Sequence, residues 1–94
     1  MCYDLGHAHC YGNEFDLLNK FKDYIYCAHL HNNTGKDSHN RLTDGEIDYK
    51  KIIETLKDTN VISACLECFP PRETNLDKET FYTFIKNCYD DCNL

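Results

Sequence analysis

Apolar residues in this chain fall into two kinds of segment that alternate along the sequence. Short continuous runs cover residues 2–5, 24–30 and 61–66, and the aromatic-rich 24–30 run is typical of a strand buried on both faces. Between and after these runs, apolar residues recur at helical spacing. Strands that alternate with helices of roughly 10–15 residues predict βαβ units and a parallel sheet.

Each predicted helix begins after a polar residue that suits an N-cap. Asn13 precedes the first helix, residues 14–22, and Asp48 precedes the second. The last helix begins at Asn75 or Asp77. The helical stripes are Phe15, Leu18 and Phe21, then Ile52, Ile53 and Leu56, then Phe81, Phe84, Ile85 and Cys88. We interpret these stripes, aromatic residues included, as core.

Turn-forming residues mark the predicted loops. Gly6, Gly12 and Asn13 predict a loop after the first strand. A long polar loop follows the second strand. Pro70 and Pro71 predict an extended loop after the third. No linker or low-complexity stretch divides the chain, so residues 1–94 form one small domain.

Composition limits the function classes. The chain carries 41% hydrophobic and 28% charged residues, which is typical of a globular protein. A formal net charge of -6 argues against nucleic-acid binding by these residues alone. Neither a secretory leader nor an apolar run long enough to span a bilayer is present, and the seven cysteines are odd in number. We therefore expect a cytoplasmic protein with reduced thiols.

Four cysteines raise a structural-zinc alternative. Cys65 and Cys68 could pair with Cys88 and Cys92 as four thiolate ligands. Neither pair has the glycine or turn residues expected around such a site. We interpret these cysteines instead as small buried hydrophobic residues.

Potential metal ligands follow each predicted strand. Asp4 and His7 follow the first strand, His29 and His31 the second, and Glu67 the third. In parallel α/β folds, ligands bind where the carboxyl ends of the strands converge. Carboxylates and imidazoles without thiolates suit a divalent ion such as Mn, Mg, Co or Zn. The sequence predicts a metal site at this end of the sheet.

The same residues resemble a known family in order and spacing. Residues 4–7 resemble the Asp-x-x-His that ends the fifth strand of xylose isomerase-like barrels, and residues 29–33 resemble the His-Leu-x-Asp-Asn that ends the sixth. Residues 37–39 and 44–48 are similar to the Asp-x-His and acidic-Gly-x-Ile-Asp segments of the next loop. Glu67 resembles the seventh-strand glutamate.

This resemblance implies the C-terminal part of a (β/α)8 TIM barrel, with three parallel strands alternating with three helices. It implies a sugar or sugar phosphate isomerase or epimerase in which Asp4, His29 and Glu67 bind one catalytic metal ion. Glu67 would also transfer a proton beside the substrate carbonyl, and His7 would hold substrate oxygens. The fourth family ligand, a fourth-strand glutamate, has no counterpart here, so we expect the chain to be inactive alone.

A zinc-dependent apurinic/apyrimidinic endonuclease has the same barrel and is the alternative. In that branch His7, Asp37 and His39 would be additional zinc ligands. The net negative charge argues against the endonuclease. So does the absence of basic residues beside the motifs, apart from Lys36 and Arg41. Arg41 is either a clamp for a sugar phosphate or a solvated loop residue.

Other interpretations stay open. We interpret His9 as a loop residue without a catalytic role, and His31 as either loop support or a substrate contact. The chain could also be a non-catalytic metal-binding remnant. Strands at the edges of an incomplete barrel would be unpaired, so we expect the isolated chain to be unstable or to self-associate.

Overall fold

The fold is a small parallel sheet flanked by helices. The computed structural model describes residues 1–70 and 77–92. Its elements in chain order are strand β1 (Cys2–Asp4), helix α1 (Leu5–Cys10), helix α2 (Glu14–Phe21), a 3-10 turn (Lys22–Tyr24), strand β2 (Cys27–Leu30), helix α3 (Tyr49–Lys57), strand β3 (Ser63–Leu66) and helix α4 (Lys78–Asp91).

The three strands are parallel and lie in the order β1-β2-β3. Asp4 aligns with His29, and Leu30 aligns with Leu66. The carboxyl ends of the strands therefore lie side by side, as the βαβ pattern predicts. The predicted parallel α/β architecture is confirmed, with one short helix, α1, beyond the three expected.

The core lies between one face of the sheet and helices α1 to α3. Tyr3, Ala28 and Leu30 are buried on that face of β1 and β2. Helix α3 forms as predicted: Asp48 caps it by accepting a hydrogen bond from the Lys51 amide at 3.3 Å. Its apolar stripe Ile52, Ile53 and Leu56 is buried against the sheet.

The loop predicted directly after β1 is wrong. Leu5–Cys10 form helix α1, and Asp4 is its N-cap because its Oδ1 accepts a hydrogen bond from the His7 amide at 2.9 Å. Gly6 lies inside this helix and is buried. Because Gly6 has no side chain, neighbouring residues can pack closely against it. The chain turns instead at Gly12, whose φ is 73°.

The predicted second and third strands are too long. The 3-10 turn takes up Tyr24, so β2 begins at Cys27. Burial on both faces is also wrong for β2: Ala28 and Leu30 are buried, but Cys27 and His29 are partly exposed. In β3, Ser63 to Cys65 are exposed. Within the described residues, no element covers the second face of the sheet.

The last helix begins after Asp77, whose Oδ1 accepts a hydrogen bond from the Thr80 amide at 2.7 Å. The alternative cap Asn75 and the predicted extended loop at Pro71 lie outside the described residues. The expectation of a buried apolar stripe on α4 is wrong: Phe81 and Ile85 are exposed, and Cys88 alone is fully buried among the described residues of this helix. None of the helices in residues 1–70 and 77–92 is both long and apolar enough to cross a bilayer.

Candidate metal centre

Three side chains meet where the strands end. Asp4, His29 and Glu67 each place a potential ligand atom within 4.8 Å of the other two. Asp4 is the last residue of β1 and aligns with His29 in β2. Glu67 directly follows β3, and its amide donates to the Leu30 carbonyl at 2.9 Å. The sheet register therefore brings these residues together.

The donor set fits a divalent ion. His29 Nδ1 lies 3.2 Å from Glu67 Oε1. Ligands that each lie about 2.0–2.2 Å from one ion are separated from one another by roughly 3–4 Å. Two carboxylates and one imidazole suit Mn, Mg, Co or Zn, and three protein ligands leave positions open for a substrate. All three residues are partly exposed, so the site can be reached.

A second cluster adjoins the first. His31, Asp37 and His39 also place ligand atoms within 4.8 Å of one another. Asp37 Oδ1 lies 3.3 Å from His31 Nε2 and 3.2 Å from His39 Nε2. The other carboxylate oxygen, Oδ2, lies 3.3 Å from His7 Nε2. Three imidazoles therefore surround one carboxylate.

Hydrogen bonds on the side of the His31 and His39 rings away from Asp37 show which ring nitrogen carries a proton. His39 Nδ1 lies 2.7 Å from the Glu67 carbonyl oxygen, and His31 Nδ1 lies 3.2 Å from the Asn32 carbonyl oxygen. A carbonyl can only accept, so both Nδ1 atoms carry a proton, and in the neutral form of each ring the lone pair is on Nε2. His31 Nε2 is buried, and its 3.3 Å approach to Asp37 Oδ1 does not have the geometry of a hydrogen bond. This lone pair suits a metal ion or a substrate hydroxyl.

His39 also has an unusual backbone. Its φ of 53° lies in the left-handed region, which non-glycine residues seldom adopt. Its ring lies between two others, with centroids 4.2 Å from His31 and 4.6 Å from Phe69. Strained backbone that its surroundings hold in place is common at binding sites.

Charge in the second cluster is balanced locally. Loss of hydration opposes ionisation of Asp37, but the hydrogen bond from His7 and the nearby charges of His39 and His31 outweigh it and lower its pKa. The hydrogen bond to Asp37, followed by the charge of Asp4, raises the pKa of His7. The cluster therefore holds a carboxylate at neutral pH, as a cation site requires.

Asn32 is buried and supports the cluster, and the sequence did not reveal its role; His31, interpreted from the sequence as loop support or a substrate contact, is itself buried within the cluster. Asn32 holds the long loop: its amide nitrogen donates to the Leu42 carbonyl at 2.7 Å, and its Oδ1 accepts from the Ile47 amide at 3.0 Å. The His31 ring lies against Gly6, where an added Cβ would overlap the ring atoms. His31 is thus wholly buried, although its spacing from His29 in the sequence suggested a neighbouring strand-end ligand.

The remaining predicted residues have other contacts. Arg41 forms a two-point ion pair with Asp91 of α4, at 3.0 Å from Nε and 2.8 Å from Nη2. Its guanidinium therefore holds helix α4. His9 lies on α1 and bridges Glu14 and Glu46, each at 2.8 Å. All seven cysteines, which lie within the described residues, are free thiols.

Comparison with known proteins agrees with the motifs. The sequence model of the xylose isomerase-like TIM barrel family matches residues 1–83. No curated protein and no solved structure matches the chain. The match covers most of the chain, and the three parallel strands with their ligand residues at the carboxyl ends fit part of such a barrel. The chain therefore belongs to the xylose isomerase-like TIM barrel family.

Proposed function

We propose that the chain is part of a metal-dependent sugar or sugar phosphate isomerase or epimerase. The convergence of Asp4, His29 and Glu67 at the strand ends supports this proposal. When bound there, a divalent ion would polarise a substrate carbonyl and stabilise the negative charge that forms when a neighbouring proton is removed.

The protein groups have separate tasks in this proposal. The Glu67 carboxylate, partly exposed at the end of β3, is placed to take a proton from the carbon beside a bound carbonyl and to return it. His29 lies beside it, with Nδ1 3.2 Å from Glu67 Oε1, and orients that carboxylate. A complete proton exchange across the substrate would need a second base as well.

Substrate hydroxyls would lie against the second cluster. His7 is exposed at the start of α1, and its ring faces both Asp4 Oδ2 and Asp37 Oδ2 at 3.3 Å. If a bound ion takes up one of these carboxylates, the ring nitrogen that faced it could donate to a sugar oxygen instead. His39 and Asp37 line an adjoining cavity of about 850 Å³ that also contains Phe69 and Asp44, which is large enough for a sugar phosphate.

The second cluster also favours an alternative, zinc-dependent hydrolysis of apurinic/apyrimidinic DNA. Two adjacent groups of ligands could hold more than one ion, as phosphodiester hydrolysis commonly uses. The formal net charge of -6 argues against the binding of a phosphate backbone. Of Lys36 and Arg41, the basic residues beside the cluster in sequence, Arg41 is paired with Asp91.

Metal binding by the 94-residue chain tests both proposals. We expect Mn, Co or Zn binding in calorimetric titrations to weaken at least about tenfold in Asp4→Asn, His29→Gln and Glu67→Gln variants, because even outer contacts of a metal site are worth that much. Asp16→Asn, an exposed acidic residue of α2, is the matched control and should bind as the parent does. Equal affinity in all four variants would contradict the first metal centre.

Chemistry then separates the two functions. The complete barrel of which the chain is proposed to be part, loaded with each metal, is incubated with ketoses and ketose phosphates in D2O and, separately, with DNA that contains an abasic site. Deuterium incorporation beside the carbonyl, abolished in Glu67→Gln, would support isomerase chemistry. Cleavage of abasic DNA without deuterium incorporation would reverse the ranking. The absence of both from a complete barrel that binds metal would favour the non-catalytic remnant.

A further inference from the structure

The backbone of Glu67 is held by hydrogen bonds from two directions. The Glu67 amide donates to the Leu30 carbonyl at 2.9 Å, and the Glu67 carbonyl accepts a hydrogen bond from His39 Nδ1 at 2.7 Å. Two residues later, the Phe69 amide donates to the His39 carbonyl at 2.8 Å. The end of β2 therefore holds the start of segment 67–69, and His39 holds the rest of it with both its ring and its backbone.

The His39 ring is fixed in the orientation that this contact needs. It is stacked between His31 and Phe69, with interplanar angles of 23° and 16°. On the opposite edge of the ring, Nε2 lies 3.2 Å from Asp37 Oδ1. One imidazole therefore joins the segment that carries Glu67, in the first metal centre, to the carboxylate of the second cluster.

The Glu67 side chain has few contacts of its own that fix its direction. It is 29% exposed, and within the described residues its carboxylate has one ion-pair partner, His29, at 3.2 Å. His29 is itself a proposed ligand, so this contact would change when an ion binds. Metal–ligand distances vary by only about 0.2 Å, so a small shift of the backbone would take the carboxylate out of range. The position of the carboxylate therefore depends on the backbone that carries it.

We propose that His39 is a positioning residue of the first metal centre, because its ring N–H holds the Glu67 carbonyl and so keeps the Glu67 carboxylate in place for the ion. This rests on the proposed first metal centre, and it is a different task from binding a second ion or a substrate. The left-handed backbone of His39, with φ 53°, supports it, because such strain persists where several contacts hold a residue.

Three substitutions of His39 separate the roles of its two ring nitrogens. In His39→Asn the amide nitrogen is as many bonds from the backbone as Nδ1, and asparagine tolerates a left-handed backbone. In His39→Gln the amide nitrogen is as many bonds away as Nε2, so the donor to the Glu67 carbonyl is lost. His39→Gly tolerates the backbone but has no side-chain donor, so it separates the lost hydrogen bond from backbone strain.

Cobalt titrations of the 94-residue chain test the effect on the metal centre. An Asp37→Asn background removes the carboxylate of the second cluster and leaves the first centre to bind the ion. We expect His39→Gln and His39→Gly to weaken binding about tenfold and His39→Asn to stay within about threefold of the background, since outer contacts of metal sites are worth about 10–100-fold. Glu67→Gln gives the reference for a lost ligand.

The cobalt absorption spectrum at saturation distinguishes positioning from a general loss of folded chain. A displaced Glu67 alters the ligand geometry, so the shape of the spectrum should change in His39→Gln and His39→Gly and be restored in His39→Asn. Partial unfolding would instead lower the amplitude and leave the shape unchanged. An unchanged shape in His39→Gly, or the same loss of affinity in His39→Asn as in His39→Gly, would overturn the proposal.

A measurement without metal keeps this proposal separable from the metal centre itself. With a chelator present, hydrogen exchange of the Phe69 amide should accelerate in His39→Gln and His39→Gly but not in His39→Asn, because segment 67–69 loosens when its hydrogen bond is lost. Metal binding that is lost in Glu67→Gln but equal in all His39 variants contradicts the positioning role and leaves the metal centre standing. If the background chain binds no cobalt while exchange follows the expected order, the metal centre fails and His39 is still shown to hold Glu67.

Discussion

At the residue scale, the second cluster depends on one close approach between helix α1 and the loop after β2. The His31 ring occupies the space that a Gly6 side chain would need. His31 is wholly buried, and Asn33 Nδ2 donates to the Gly6 carbonyl at 3.1 Å on the same side. Because α1 is fixed by its Asp4 cap, neither partner can move away without loss of other contacts.

We expect Gly6→Ala to lower the free energy of unfolding by about 1–3 kcal/mol, because the added methyl group overpacks this contact. The measurement is urea unfolding followed by circular dichroism. The double variant Gly6→Ala, His31→Ala removes the ring. Gly6→Ala should therefore lower the free energy of unfolding less when it is added to His31→Ala than when it is added to the parent chain. Additive effects of the two substitutions would show that the ring and the glycine do not interact.

His9 ties two helices to the long loop through its ion pairs with Glu14 and Glu46. Burial opposes its charge, but the hydrogen bonds to Glu14 and Glu46 outweigh this and raise its pKa above 6.5. A raised pKa means that its stabilising effect is complete below about pH 6.5, the unfolded value, and is lost as the pH rises through the folded pKa.

The stability advantage of the parent over His9→Gln should therefore be largest below about pH 6.5 and shrink as the pH rises through the raised folded pKa. Unfolding free energies of both chains, measured in the presence of a chelator, give this difference at each pH. Subtraction removes the titration of the other histidines, since both chains share them. A difference that stays constant or grows with pH would show that the His9 charge does not stabilise the fold.

At the scale of elements, the long loop after β2 is organised by Asn32. Besides its bonds to Leu42 and Ile47, its backbone forms a two-way bridge with Asn40, at 3.0 Å in each direction. This bridge positions Asp37 and His39 at the strand ends. A loop without regular structure is thereby given a fixed conformation.

Asn32→Ala should destabilise the chain by about 2–4 kcal/mol, because it leaves buried backbone groups of the loop without partners. Hydrogen exchange of residues 33–47 should accelerate more than that of α3, which would show that the loop loosens first. The exposed Asn19→Ala on α2 is the matched control and should change neither quantity. Uniform acceleration across the chain would show that Asn32 supports the whole fold instead.

The sequence predicted a helix or strand best where its local signals, such as a cap and an apolar stripe, agree with the way the element packs in the fold. Helix α3 has an aspartate cap and an apolar stripe that the sheet buries, so its position was predicted closely. Helix α1 was missed because Gly6 is a packing residue in a helix. The convergence of Asp4, His29 and Glu67 could be predicted from strand ends alone. The burial of His31 could not, because it depends on its contact with Gly6, a residue far away in the chain.

At the scale of the whole molecule, the three-stranded sheet of the described residues is open at both of its edges. A closed barrel has no edge strands, but here β1 and β3 each have one neighbour among the described residues. Strand β3 is exposed from Ser63 to Cys65, and the preceding Ile62 is 87% exposed. Unpaired strands with apolar residues beside them favour association with other chains.

We therefore expect the isolated chain to self-associate, and Ile62→Lys to weaken this association. A lysine beside the edge strand would lose hydration of its charge if a second copy paired there, and edge lysines are one of the means by which natural proteins protect sheet edges. Tyr11→Lys makes the same change of charge at a residue that is 85% exposed but lies on the turn after α1, away from β3. Sedimentation velocity over a concentration series should show a smaller associated fraction in Ile62→Lys alone. If the parent chain sediments as a monomer at all concentrations and melts cooperatively, the open edges do not drive association. If both lysine variants reduce association equally, the effect does not depend on the β3 edge.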